Sequence, residues 1–248
     1  MHSRDLIEQY KTYVQDWRRY FHKHPELSNE EFETTKTLAK ELESMGVEVH
    51  VDTERGTGLI GIIHGEKTGK AIALRADIDA LPVQEHNTFD FKSDVDGKMH
   101  ACGHDGHMAI LLGAAKMLTA MKDRIEGDVY LAFQPAEETG AGAPDFMKFG
   151  VWFEKIDAIF GGHVWIDLPA GLVSVEAGPR IAASSKITIN VKGKQGHGAQ
   201  PHQAVDAIVV ASAIVMNLQT VVSRNVSALD SLVITIGNIH SGSEWNVI

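Results

Sequence analysis

Segments with the periodicity of strands alternate with segments with the periodicity of helices, and this alternation restricts the fold more than any other feature of the sequence. Apolar residues recur every three to four positions around residues 6–20, 32–42 and 106–121, which predicts amphipathic helices. Short apolar runs predict strands at residues 47–51, 59–64, 72–75, 129–133 and 156–160. This order is typical of βαβ units, so we expect an α/β domain with a mixed, mostly parallel sheet.

The sequence also marks where the first two helices begin and end. The first helix is expected to stop before Pro25, because proline cannot continue a helix. Ser28 followed by Glu31 matches a capping box, which predicts that the second helix opens there. Gly46 is expected to close that helix.

The pattern changes after Gly178. A strand, a helix and a second strand are predicted beyond it, at residues 186–192, 205–222 and 232–239. We therefore expect an α/β domain over residues 1–178 and a second, smaller α+β domain over residues 179–248.

Charge and composition narrow the classes of function. The formal net charge of -10 argues against a nucleic-acid binder, which needs a basic face. The N-terminal residues do not have the pattern of a signal peptide or an anchor. No apolar stretch approaches the length of about 18 residues that spans a bilayer, so no membrane partner is expected. The single cysteine, Cys102, excludes an intrachain disulfide and favours the reducing cytoplasm.

Four short polar segments each follow a predicted strand, where open α/β sheets bind their ligands. In the first, Asp77 and Asp79 point the same way from an extended segment. They could bind metal, hold metal-binding histidines in place, or lie at a solvated strand end. In another, His163 follows two glycines and is either structural or a ligand.

A cysteine and a histidine with ligand spacing stand in the segment His100–His107. The side chains of Cys102 and His104 can converge on one borderline-soft cation such as Zn, Co, Ni or Mn. Three histidines and a cysteine within eight residues are hard to explain as core packing.

Two adjacent carboxylates, Glu137 and Glu138, follow the strand at residues 129–133. Neighbouring side chains on an extended segment diverge, so one can hold a metal while the other meets solvent. The free carboxylate could then act as a general base on an activated water. The sequence contains no Gly-x-Ser-x-Gly elbow and no phosphate loop.

The chain resembles the aminoacylase/carboxypeptidase metallo-amidohydrolases, in the branch of hippurate hydrolase, plant indole-acetyl-amino-acid hydrolases and bacterial N-acetyl-amino-acid deacetylases. The matching motifs are His24-Pro25-Glu26, Arg75–Pro82, His100–His107, Gln134–Glu138, Gly162-His163, Gly196–Ala199 with Pro201-His202, and Asn246-Val247-Ile248. The resemblance implies an exopeptidase-like catalytic domain with an inserted lid domain that also dimerises.

The resemblance also implies roles for individual residues. Metal ligands are expected at Cys102, His104, Glu138 and His163 for two divalent ions, which could be Zn, Mn, Co or Ni. Glu137 is implied as the general base, and Asp77 and Asp79 as carboxylates that orient the ligands. His197 is implied to polarise the scissile carbonyl from the lid, and Asn246 to contact the substrate.

This resemblance implies hydrolysis of the amide bond of small N-acyl amino acids, with N-acetyl the favoured acyl group, by a cytoplasmic homodimer. Relatives continue past the motif that ends at Ile248, and the returning segment supplies a last metal-binding histidine. We therefore expect the chain to be a fragment whose two-metal site is incomplete. Two alternatives stay open: a non-catalytic metal-binding and dimerising module, and a metal-dependent deacetylase or peptidase acting on longer chains.

Overall fold

The structure is a computed structural model that describes residues 3–150, 152–178 and 181–248. Packing divides the chain into two compact units, Met1–Ser174 and Val175–Ile248. The domain boundary that we placed after Gly178 stays a prediction.

The helices and strands of unit 1 follow the predicted alternation closely. Its helices are α1 (Ser3–Lys23), α2 (Phe32–Ser44), α3 (His104–Thr119) and α4 (Gly142–Phe146), and its strands are β1 (Glu48–Val51), β2 (Leu59–His64), β3 (Ile72–Asp77), β4 (Asp128–Gln134) and β5 (Ala158–Gly161). Helix α1 ends before Pro25, as predicted, and Gly46 follows α2 with a φ of +76°.

The five strands form one mixed sheet in the order β1-β2-β4-β3-β5. Strand β4 runs antiparallel to β2 and parallel to β3, and β5 is parallel to β3. The predicted α/β class with a mixed sheet is therefore confirmed. Strands β3, β4 and β5 run in the same direction, so their carboxyl ends lie at one edge.

The core of unit 1 lies on both faces of this sheet. Alternate residues of β2 and β4 point to opposite sides, because successive strand side chains do. One side packs against the three long helices and includes Phe21, Leu38, Leu112, Leu131 and Phe133. The other side includes Ile60, Tyr130, Phe146 and Trp152.

The predicted capping box is wrong. Helix α2 begins at Phe32, and neither Ser28 nor Glu31 caps it with a side chain. The carboxylate of Glu26 accepts hydrogen bonds from the backbone N–H groups of Glu33 and Thr34 instead, at 3.2 and 2.7 Å. The capping-box pattern is local, whereas Ser28 and Glu31 form bonds to distant segments.

Unit 2 contains the predicted helix, α5 (Ala207–Asn225). The two strands predicted at residues 186–192 and 232–239 are wrong, since neither segment pairs with a strand in the described part of unit 2. Alternating apolar residues favour a strand only where a neighbouring strand accepts the backbone hydrogen bonds.

Helix α5 also corrects the search for apolar segments. It has 19 residues and a mean hydropathy of 1.5, so by length and composition it could span a bilayer. A single such helix is weak support for a membrane span, because core helices of globular proteins pass the same test.

Candidate metal centre

Three of the four polar segments lie at the common edge where β3, β4 and β5 end. Asp77 is the last residue of β3, Gln134 the last of β4 and Gly161 the last of β5. The expectation that the fourth segment also follows a strand is wrong. Cys102 lies in a loop, and His104 is the first residue of α3. Packing of α3 against β3 brings this helix end to the same edge.

His104 is held in one orientation by the backbone. It is fully buried, and its Nδ1 donates to the carbonyl oxygen of Asp79 at 2.8 Å. This bond leaves a lone pair on Nε2, which has no hydrogen-bond partner among the described residues. The preceding Gly103 has a φ of +95°, and a Cβ there would lie 2.4 Å from a methyl group of Val164. A glycine is therefore required before His104.

The predicted ligand atoms converge on this nitrogen. Donor atoms of Cys102, His104 and His163 lie within 4.8 Å of one another. The Sγ of Cys102 is 3.5 Å from Nε2 of His163, whose Nδ1 donates to the carbonyl of Val164 at 2.6 Å. In the neutral ring of each histidine, these bonds place the proton on Nδ1 and leave the Nε2 lone pair free for a metal.

The two adjacent glutamates converge instead of diverging. Oε1 of Glu138 and Oε2 of Glu137 lie 3.8 and 3.9 Å from Nε2 of His104. The prediction that they project apart is wrong because it assumed an extended segment, and Ala136 has a φ of +53° that turns the chain. Their exposure still differs, since the side chain of Glu137 is 41% exposed and that of Glu138 is 20% exposed.

Asp77 and Asp79 hold the surrounding groups. Asp77 accepts from Nδ1 of His107 at 2.5 Å and from Arg75 at 2.7 Å. Burial raises the pKa of Asp77, but the hydrogen bond from His107 and the charge of Arg75 outweigh burial and hold the pKa well below its usual range. The carboxylate of Asp79 accepts from the hydroxyl of Ser28 and from the backbone N–H of Glu138, at 2.7 and 2.9 Å.

Negative charge accumulates where these groups meet. Burial and the carboxylates of Glu138, Glu137 and Asp77 raise the pKa of the Cys102 thiol to about 12. Burial also raises the pKa of Glu138, although His104 acts in the opposite direction. Oε1 of Glu138 is buried and has no hydrogen-bond partner within the described residues. A half-buried thiol, two imidazole lone pairs and an unpartnered carboxylate oxygen fit a borderline-soft divalent cation.

Sequence reasoning missed the role of His107. Its Nε2 accepts the backbone N–H of Val164 at 2.9 Å, so it connects the end of β3 to the residue after His163. The spacing from His104 to His107, one helical turn, could have suggested that both rings face the same edge.

The two substrate-contact candidates of unit 2 lie next to each other. His197 forms an isolated bridge with Val247, and the N–H of Gly198 donates to the carbonyl of Asn246 at 2.9 Å. His197 is exposed, and its Nδ1 accepts the N–H of Ala199 at 3.0 Å. Pairing of these segments brings together residues that are about fifty positions apart in the sequence.

A comparison with known families decides the relationship. The sequence profile of Peptidase family M20/M25/M40 matches residues 73–236, which include all four polar segments. The chain belongs to this family. The resemblance to metallo-amidohydrolases is thereby confirmed.

Individual M20 relatives are similar over most of the chain. The chain is 47% identical to an N-acetyl-L-cysteine deacetylase of Bacillus subtilis over 93% of its length, and 42% identical to an N-acyl-L-amino acid amidohydrolase of Geobacillus stearothermophilus over 98%. It spans 55% and 65% of these relatives. A solved structure is similar as well: the crystal structure of the YxeP protein of Bacillus subtilis, a dinuclear metal-binding peptidase from the M20 family. The match covers 69% of the present chain and 48% of the YxeP chain, with a TM-score of 0.66 and 45% sequence identity.

Proposed function

We propose that this chain is a metal-dependent amidohydrolase that cleaves small N-acyl amino acids into a carboxylic acid and a free amino acid. The observation that carries the proposal is the pair of buried, unpartnered ligand atoms, Nε2 of His104 and Oε1 of Glu138, facing each other at 3.8 Å. Together with Cys102 and His163 they would hold divalent metal. We propose two ions, which agrees with the dinuclear M20 relative.

Bound divalent ions would supply Lewis-acid polarisation of the scissile carbonyl and of the attacking water. Glu137 is suited to the proton transfers, because its carboxylate is more exposed than that of Glu138 and yet lies 3.9 Å from His104. In our proposal Glu137 takes a proton from water as the new C–O bond forms. It delivers that proton to the amide nitrogen as the C–N bond breaks.

His197 would stabilise the negative charge that develops on the acyl oxygen. Its Nδ1 accepts a backbone N–H, so in the neutral ring the proton is on Nε2. An exposed Nε2–H can donate to the carbonyl oxygen of a substrate. Asn246, on the paired segment, would contact the same substrate.

Hydrolysis assays with metal-loaded protein test the proposal. The purified chain is reconstituted with Zn²⁺, Mn²⁺, Co²⁺ or Ni²⁺ and incubated with a panel of N-acetyl amino acids and, in parallel, with tripeptides. We expect release of free amino acid from the N-acetyl substrates, its loss after chelation, and its loss in Glu137→Gln. An absence of turnover with every metal and every N-acyl substrate would contradict the proposal.

Peptidase activity is the second candidate, because the family and its structurally similar member are named for it. Faster cleavage of the tripeptides than of the N-acetyl amino acids in the same assay would favour it. Metal binding with no turnover of either class would instead favour a non-catalytic metal-binding module.

We also propose that the protein forms a homodimer in the cytoplasm. Apolar side chains of α5 that are exposed within unit 2, such as Val209 and Met216, support the homodimer. The single cysteine supports the cytoplasmic location, since it indicates a reducing compartment.

A further inference from the structure

The buried carboxylate of Glu31 has no role in the chemistry described above. Glu31 lies in the loop between α1 and α2 and is fully buried. Its Oε1 accepts the backbone N–H of Ala136 at 2.8 Å, while its Oε2 has no hydrogen-bond partner among the described residues. Burial raises the pKa of Glu31 to about 7, and backbone N–H groups, that of Ala136 among them, act in the opposite direction. A buried carboxyl group is costly unless it is hydrogen-bonded, so the bond to Ala136 matters to the structure around it.

That bond holds a backbone conformation which alanine does not favour. Ala136 has a φ of +53°, in the left-handed region, and it immediately precedes the two glutamates. Contacts within the loop bind only its carbonyl oxygen, which accepts from Thr139 at 3.0 Å and from Gly142 at 3.2 Å. Glu31 is the group from outside the loop that binds the N–H. Strained conformations of this kind persist only where the surroundings hold them.

A second bond from the same segment reaches the other side of Glu137. The hydroxyl of Ser28 donates to Asp79 at 2.7 Å, and the same carboxylate oxygen accepts the N–H of Glu138 at 2.9 Å. The N–H of Ala136, before Glu137, therefore binds Glu31 directly. The N–H of Glu138, after Glu137, binds Asp79, which in turn is held by Ser28, only three positions from Glu31 in the sequence. Helix capping does not explain these bonds, because Glu26 caps α2.

We propose that Glu31 is a positioning residue that sets the turn at Ala136 and so brings the carboxylates of Glu137 and Glu138 to His104. Ser28 supports the same turn by holding Asp79, which binds the N–H of Glu138. The effect on turnover rests on the proposed function, whereas the effect on the loop and on its ligand atoms does not.

The test compares Glu31→Leu, which removes the acceptor, with Glu31→Gln, which keeps an oxygen of similar reach. Glu26→Ala is the matched control, since it removes a carboxylate of the same loop that binds the N–H groups of α2 instead. Three quantities are measured on the full chain: hydrogen exchange of the amides of residues 136–138, the dissociation constant for Co²⁺, and the urea midpoint of unfolding.

We expect Glu31→Leu to speed exchange at residues 136–138 and to weaken Co²⁺ binding by about 10- to 100-fold, as for residues that orient ligands. Glu31→Gln should stay within a few-fold of the wild type in both. Glu26→Ala should lower the urea midpoint and leave Co²⁺ binding unchanged. If Glu31→Leu is too unstable to purify, Glu31→Asp, with its carboxylate withdrawn by one methylene, should show the same two effects in a folded protein.

Unchanged exchange at residues 136–138 in Glu31→Leu or Glu31→Asp would overturn the proposal. Equal losses in Glu31→Gln and Glu31→Leu would also overturn it, because the acceptor would then not be the cause. A wild type that exchanges slowly at these amides but hydrolyses no N-acyl amino acid would contradict the proposed function alone.

Discussion

Nδ1 of His107 lies 2.5 Å from Oδ1 of Asp77, and this contact connects two strand ends of the sheet. Asp77 ends β3, while Nε2 of the same imidazole accepts the N–H of Val164, just after β5. The backbone next to His163 is therefore fixed by a carboxylate on the neighbouring strand. Ligand histidines in metal sites are commonly oriented by such partners.

Replacing His107 with Ala should weaken metal binding although His107 is not one of the proposed ligands. Loss of the bond to Val164 frees the segment that carries His163, so the dissociation constant for Co²⁺ should rise by about tenfold or more. A Co²⁺ titration measures it. His86→Ala, a change at an exposed histidine in the loop before α3, serves as the control. Equal Co²⁺ affinity in His107→Ala and the control would contradict the connection.

Glu137 and Glu138 should respond differently to the same substitution. Glu137→Gln keeps the shape but cannot accept a proton, so turnover of an N-acetyl amino acid should fall by about a hundredfold to ten-thousandfold while metal content stays. Glu138→Gln should lower metal content, because its buried Oε1 is a proposed ligand atom. Metal analysis and hydrolysis assays of both variants show which glutamate binds metal and which one transfers the proton. Loss of metal in Glu137→Gln but not in Glu138→Gln would show that the roles are exchanged.

His197 should affect catalysis and leave metal binding intact. His197→Ala removes a hydrogen-bond donor to the developing oxyanion, and turnover should fall by about a hundredfold or more. Metal content should match that of the wild type, because no ligand is touched. His240→Ala, at another exposed histidine of unit 2, should keep full activity. Undiminished turnover in His197→Ala would rule out the polarising role.

A buried ion cluster should make stability depend on pH. His22 lies between Asp105 and Glu85, with ring nitrogens 2.8 and 3.1 Å from their oxygens. Burial lowers the pKa of His22, but the hydrogen bonds to the two carboxylates outweigh it, so the net shift is upward. The stabilisation is therefore complete below the unfolded pKa of about 6.5 and is lost as the pH rises through the folded pKa.

We expect His22→Gln to lower the free energy of unfolding by roughly 3 kcal/mol at pH 6, as when one partner of a buried pair is removed. The loss should be smaller at pH 9 than at pH 6, because the charged form of His22, and with it the stabilisation, declines as the pH rises through the folded pKa. Urea unfolding at both pH values measures the difference. A loss of the same size at pH 6 and pH 9 would contradict the assigned protonation.

Much of unit 1 could be predicted because its signals are local. The continuous apolar run of β2, the proline after α1 and the glycine after α2 each determine one element on their own. The edge where the polar segments meet followed from the shared direction of β3, β4 and β5. Cys102 and His163 are 61 residues apart in the sequence, and they lie close together because α3 packs against β3 and brings the Cys102 loop to this edge.

The remaining features depend on contacts that the sequence does not display. Ser28 and Glu31 match a capping box, but bonds to Asp79 and Ala136 determine their role. The two glutamates converge because Ala136 adopts a left-handed conformation at a position where no glycine signals it. The strands predicted in unit 2 failed because alternation does not identify a pairing partner.

The most direct test of the metal centre is the absorption spectrum of the Co²⁺ complex. Cys102 is the only thiol in the sequence, so a thiolate-to-cobalt charge-transfer band can come from no other residue. We predict this band in the wild type and its absence in Cys102→Ser at the same bound Co²⁺. A wild-type complex that binds Co²⁺ without the band, or an identical band in Cys102→Ser, would contradict the assignment of Cys102 as a ligand and with it the proposed centre.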